Sequence, residues 1–188
     1  MIVTTLQKYT FEDYQTNLEN REIKYELVNG KLVEMHPDSG LHADILDFLQ
    51  DLLKQEIKKN NCDWFVRPGT VGVRTGVQKS RIPDLVIITQ AQRQALRNLP
   101  SAILEGLPIL VVEIVSPGNP EDDYRYKRSE YAALQIPEYW IVDPTESKIT
   151  VLEWIDGLYE FREFKESEKL ESPTFESLNL TVDRIFSV

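Results

Sequence analysis

Two apolar β-like runs joined by a helix constrain this chain more than any other feature. LPILVVEIV (107–115) and EYWIVDP (138–144) are too apolar to present either face to water, and the segment between them, from about Glu121 to Leu134 behind Asn119-Pro120, reads as a helix. Such strands, joined through a helix, form a parallel crossover, which is right-handed in nearly all known cases. The chain is therefore committed to a sheet with helices packed on it. IPDLVIIT (82–89) adds a third buried strand, entered through proline and followed by a short helix over AQRQALRN.

Hairpins are expected towards both ends. IKYELVNGKLVEM (23–35) turns at Asn29-Gly30 and KITVLEWIDGLYEFREF (148–164) at Asp156-Gly157, pairs that supply the two positive φ angles a tight hairpin needs. Thr10 and Asp13 form a capping box for a helix from Phe11 to about Glu19. A longer helix runs from Asp38 or Ser39 to about Lys59, with Leu41, Ile45, Phe48, Leu49, Leu52 and Leu53 on one arc. Further strands are expected near Trp64–Arg67 and Thr70–Arg74, and after the second hairpin a polar tail with a short apolar end. With 188 residues and no repeat, the expectation is one domain over 1–188 of mixed α/β class, a central mixed sheet flanked by helices.

Composition excludes several chemistries. One cysteine and two histidines, His36 and His42, leave no internal disulfide and no Cys/His zinc site, so a metal would have to be held by oxygen. A net charge of −10 argues against a general nucleic-acid coat, though not against a local basic cleft. The opening MIVTTLQKYT has no basic or long apolar leader region and no run approaches a membrane span, so a cytoplasmic protein is expected.

The chemistry concentrates on a few charges in apolar surroundings. Glu113 lies inside a buried strand, where a carboxylate costs several kcal/mol unless it is paired, protonated or bound to a cation. It is either the partner of a nearby Lys or Arg or part of a cation site. Asp84, just after Pro83 at the mouth of the neighbouring apolar strand, favours the second reading. Two hard oxygen donors on adjacent strands are what Mg²⁺ uses, with waters and a substrate phosphate completing its octahedron. With 31 acidic residues in the chain, either acid alone would say little.

Lys127 falls on the inward arc of the crossover helix, between Tyr124, Tyr131 and Leu134, while Arg125 and Arg128 point away. It is either a structural salt-bridge partner of Glu113 or the cation of a catalytic set. A lysine with two carboxylates and a metal is competent for phosphodiester hydrolysis. Ser116 and Cys62 lack a histidine–acid relay, and no Gly-rich phosphate loop occurs. His42, on the apolar arc of the long helix, is either a satisfied core residue or a phosphate-contacting group. Glu26 is a third acid or a solvent-face residue of its hairpin.

The order IPDLVII, LVVEIVSPGNP, a lysine in DDYRYKRSEY, then IPEYWIVDP resembles the PD-(D/E)xK nuclease superfamily, and more closely the Uma-type family of restriction-endonuclease-like proteins. YELVNGKLVEMHP and the histidine of GLHADIL are similar to that family too, so the resemblance covers about Tyr25 to Pro144. It implies a restriction-endonuclease-like core with metal carboxylates at Asp84 and Glu113. In the usual motif the lysine stands two residues after the glutamate, but that position is Val115, and the resemblance implies that Lys127 replaces it from the helix. Gln135 stands where relatives commonly have glycine, which bears on how the helix ends.

The expected activity is a Mg²⁺-dependent DNA endonuclease, with Mn²⁺ as a substitute ion, using Asp84, Glu113 and Lys127, with His42 and Glu26 as accessory candidates. Ser116 or Asn119 would shape the turn beside the site. DNA contact is assigned to Arg67, Arg74, Lys79 and Arg81, and the working unit to a homodimer. Two alternatives stand beside it: a nuclease fold kept as a binding or regulatory module, and hydrolysis of a small phosphorylated molecule.

Overall fold

The computed structural model describes residues 8–18, 23–37 and 39–188, so Glu19 as the end of the first helix and Asp38 as the start of the second lie outside the described residues. The N-terminal half runs α1 (Phe11–Leu18), β1 (Tyr25–Val28), β2 (Lys31–Glu34), α2 (Gly40–Lys59), β3 (Trp64–Pro68), β4 (Gly72–Gly76), β5 (Lys79–Arg81), β6 (Leu85–Thr89) and α3 (Gln90–Leu96). There follow β7 (Ile103–Leu104), β8 (Leu110–Ile114), a π-helical turn (Asp122–Lys127) continuing into α4 (Arg128–Leu134), β9 (Glu138–Asp143), β10 (Lys148–Ile155), β11 (Leu158–Lys165) and α5 (Val182–Phe186).

The local signals act as their chemistry dictates. Asp13 N–H donates to Thr10 Oγ1 at 3.0 Å while Asp13 Oδ2 accepts from Thr10 N–H at 2.8 Å, closing the capping box of α1. Ser39 caps α2 by accepting from His42 N–H. Asn29 and Gly30 have φ of 52° and 80°, and Asp156 and Gly157 have 47° and 99°, so both hairpins turn through left-handed pairs. Gln135 ends α4 at φ 64°, a conformation glycine would adopt without strain.

Six strands form the main sheet in the order β11-β10-β9-β8-β6-β3, with β8 and β9 parallel and the other neighbours antiparallel. The expected crossover is thus present as a parallel pair. Alternation sends Leu85, Ile87, Leu110, Val112 and Trp140 to one face, against Ile45, Leu49, Leu53 and Ile57 of α2. Val86, Ile88, Val111, Tyr139 and Ile141 go to the other, against Tyr131 of α4 and Val71, Val73 and Leu104. Burying each such side chain contributes about 1.5–3 kcal/mol.

Three features depart from the expectation. A second sheet, β2-β1-β5-β4-β7, covers part of the second face, and its strands β5 and β7 are too short or polar for periodicity to reveal. The tail after β11 is not merely polar, because Leu170, Phe175, Leu178, Leu180, Val182 and Ile185 are buried in the main core, at spacings that mix both periods and keep to neither. Leu41 lies 47% exposed in the first turn of α2, and His42 takes the inward position instead.

Candidate active site

The strand pairing that builds the sheet also brings the two acids together. β6 and β8 pair Leu85 with Val112 and Val86 with Val111, and one further step along that register sets Asp84 beside Glu113. β6 begins only at Leu85, and beyond it side chains take over the ladder. Ile114 N–H donates to Asp84 Oδ2 at 2.6 Å, and Asp84 N–H lies 3.4 Å from Glu113 Oε2. Glu113 is essentially buried, whereas Asp84 stays partly open at 17% exposure of its side chain.

The helix that follows closes the site from above. Lys127 Nζ sits 2.9 Å from Glu113 Oε2 and 2.8 Å from Asp123 Oδ1. Asp123 and Lys127 belong to the π-helical turn, a wider coil that occurs often at functional sites. Tyr139 Oη donates to the Asp123 carbonyl at 3.1 Å and pins the turn to the sheet, and Tyr131 Oη donates to Glu113 Oε1 at 2.5 Å. From the other side of the sheet, His42 Nε2 lies 3.3 Å from Asp84 Oδ1.

Burial pushes the Glu113 carboxyl well above the usual carboxylate range although Lys127 pulls it down, and Asp123 is raised in the same way. Burial also works against the Lys127 ammonium, but Glu113 and Asp123 together hold its pKa well above the ordinary lysine value. Three acids, Asp84, Glu113 and Asp123, thus crowd around one lysine, and burial disfavours the charged forms of Glu113 and Asp123.

The oxygen-only donor set at Asp84 and Glu113 fits a hard divalent cation, whose charge would offset the burial of Glu113. Among the described residues no group of three or more His, Cys, Asp and Glu is arranged to hold a metal ion. A cation here would take two protein carboxylates and fill its remaining positions from water and substrate, as Mg²⁺ commonly does.

Asp84, Glu113, Lys127 and His42 therefore converge, while the other expected residues do not join them. Glu26 is buried but turned to an adjacent cluster, where Oε1 accepts from Ile82 N–H at 2.8 Å and Oε2 from Arg81 Nη1 at 3.0 Å. Arg81, expected to contact DNA, has a side chain 1% exposed and held by Glu26, Asp122 and Glu130. Lys79 Nζ is paired with Glu130 at 3.2 Å and Arg74 with Glu105 at 2.8 Å, so neither charge faces phosphate unopposed. Arg67 is half-buried near the Phe65 ring. Asn119 marks the helix start through its carbonyl, which accepts from Asp122 N–H, and its own N–H donates to the Ser116 carbonyl across the turn.

Asp123 was not singled out in the sequence, and Tyr131 was placed on the inward arc without a role. Their signal was there, since 123, 127 and 131 recur at four-residue spacing on the same inward arc.

Residues 10–183 match the family model of Uma2, described as "Putative restriction endonuclease". Among solved structures, the chain is similar to a putative nuclease of the DUF820 group from Anabaena variabilis, at 20% identity and a TM-score of 0.77, covering 95% of this chain and 97% of that one. No curated protein matches it. That likeness shows a restriction-endonuclease-like fold, and family and fold together support a nuclease. By a match that runs over nearly its whole length, this chain belongs to the Uma2 family of putative restriction endonucleases.

Proposed function

We propose that the protein is a divalent-metal-dependent endonuclease that hydrolyses phosphodiester bonds of DNA, with Asp84 and Glu113 holding Mg²⁺ or Mn²⁺ and Lys127 completing the catalytic set. One observation carries this reading: Lys127 Nζ lies 2.9 Å from Glu113 Oε2 at the point where Asp84 abuts the same carboxylate. When bound, the cation supplies Lewis-acid polarisation of the scissile phosphate and a more acidic water. Asp84 and Glu113 provide hard oxygens held in place by Ile114 N–H and the Tyr131 hydroxyl. Lys127 keeps its proton on Nζ, orients the attacking water and offsets charge growing on the phosphate. His42, beside Asp84, steadies the acid that is more open to solvent.

Among the described residues no helix is long and apolar enough to cross a membrane. A cytoplasmic enzyme working as a homodimer on the two strands of DNA accords with this reading. The pairing of Arg74, Lys79 and Arg81 with carboxylates favours a second reading, a nuclease fold retained as a binding module, because few cations remain for phosphate.

Calorimetric titration of Mn²⁺ into wild type, Asp84→Asn and Glu113→Gln separates them, followed by plasmid cleavage in the same ion. The nuclease reading expects binding in wild type that both variants lose, and cleavage that follows it. Mn²⁺ binding unchanged in both variants would sink the site assignment, and binding without cleavage of DNA would favour the module.

A further inference from the structure

Lys127 has two partners, and only one of them is assigned to the metal. Glu113 has no idle oxygen: Oε1 receives the Tyr131 hydroxyl at 2.5 Å, and Oε2 faces Lys127 Nζ at 2.9 Å and Asp84 N–H at 3.4 Å. If Glu113 shares an oxygen with a divalent cation, its hold on the ammonium weakens and two positive charges arrive beside it. A lysine tethered by Glu113 alone would then swing out on its flexible stem.

Asp123 is built to prevent that. Its Oδ1 lies 2.8 Å from Lys127 Nζ, one helical step back on the same coil. Its backbone is anchored independently of the metal acids, through the carbonyl that accepts from Tyr139 Oη at 3.1 Å. Asp123 is itself 5% exposed, and among the described residues it does not join Asp84 and Glu113 in a group arranged to hold a metal ion. The π-helical turn presents both side chains to the sheet together, so Asp123 and Lys127 approach Glu113 as a unit.

We propose that Asp123 is a positioning residue that keeps Lys127 at the site when Glu113 turns to the metal. This rests on the metal reading above. Without metal, Glu113 and Asp123 hold the lysine jointly; with metal, Asp123 carries it alone, and the lysine stays where water must be oriented.

Competitive acylation of lysine amines on the full-length protein, read by mass spectrometry at Lys127 with and without saturating Mn²⁺, tests this. In wild type Lys127 stays protected in both conditions. In Asp123→Asn it stays protected without Mn²⁺ and reacts about tenfold faster with it, the scale of one lost charge-assisted hydrogen bond. Asp123→Glu keeps the charge and restores protection in Mn²⁺, which excludes a general loss of folding. Protection in Asp123→Asn that Mn²⁺ does not change, with Mn²⁺ heats intact, overturns the inference alone, as does an Asp123→Glu variant as reactive as the asparagine form. Absence of Mn²⁺ heat in wild type overturns the metal reading and this inference with it.

Discussion

Arg81 meets Glu130 in a two-point fork, Nε to Oε2 at 2.9 Å and Nη2 to Oε1 at 3.0 Å, in a part of the protein that solvent hardly reaches. The same guanidinium reaches Glu26 at 3.0 Å and Asp122 at 3.2 Å, and Thr75 Oγ1 adds a 2.7 Å bond to Glu130 Oε2. The cluster ties β1, β4 and β5 to the π-helical turn and α4. Ile82 N–H, two residues before Asp84, bonds to the same Glu26, so one buried cation links the approach to Asp84 with the helix that bears Lys127.

Removing that cation should be costly. Arg81→Met takes the guanidinium from three carboxylates, two of them buried, leaving Glu130 with Lys79 and Thr75 and Glu26 with Ile82 N–H, and is expected to destabilise the fold by about 3–5 kcal/mol. Arg81→Lys should recover only part, because an ammonium cannot fork onto Glu130. Urea unfolding midpoints decide the matter, and a loss under about 1 kcal/mol in Arg81→Met would show that the acids do not depend on it.

Glu138 gives stability a pH dependence away from the site. Its carboxylate accepts from Trp140 Nε1 at 2.5 Å, Ser172 Oγ at 2.7 Å and Thr174 N–H at 2.7 Å, fastening the C-terminal tail to β9. Burial still outweighs these donors and raises its pKa above 4.5. A carboxyl raised on folding binds its proton more tightly in the folded state. Its contribution is therefore fully present below the unfolded value and lost as pH climbs through the folded one. Glu138→Gln turns an amide against Thr174 N–H and should cost about 1–3 kcal/mol at neutral pH. The gap to wild type should widen as pH falls from neutral towards 4.5 and keep its full size below that value. Denaturant titrations on both sides of that value measure it, and a gap that narrows in acid would refute the account.

The first hairpin offers a backbone test. Gly30 has φ 80°, and a Cβ there would meet Lys8 Cβ at 3.2 Å and the Tyr9 carbonyl at 3.3 Å. Gly30→Ala should therefore cost about 1–2 kcal/mol. Gly118, in the turn before the crossover helix, has open space around it and no positive φ, so Gly118→Ala should be neutral or slightly stabilising. Thermal unfolding of the two variants side by side should show the contrast; equal shifts would contradict it.

Local chemistry was enough to establish the hairpins at Asn29-Gly30 and Asp156-Gly157, the capped α1 and α2, and the three buried strands, because each depends on neighbours in the chain. Asp84, Glu113 and Lys127 stood out for a related reason: a charge in an apolar run is conspicuous wherever the strand goes. What periodicity could not supply was any partner far away in sequence. KSR and IL are too short to announce strands, yet they pair across the second sheet once its other members are in place. The tail from Leu170 to Leu180 shows no single period, because its apolar side chains are set by the core they enter and not by a helix or strand of their own.

The charges divide along the same line. From its sequence, Arg81 reads as one more cation beside Lys79, suited to a phosphate backbone. Only the folded chain closes Glu26, Asp122 and Glu130 around it and withdraws it from solvent. Asp123 looks like an ordinary acid in the first turn of a helix until the π-helical turn directs it to Lys127. Which residues cannot rest in an apolar strand without a partner is legible along the chain, since desolvation acts on each alone. Tertiary structure decided which partner each one found, since an ion pair needs two groups within a few ångströms and no spacing along the chain prescribes that distance.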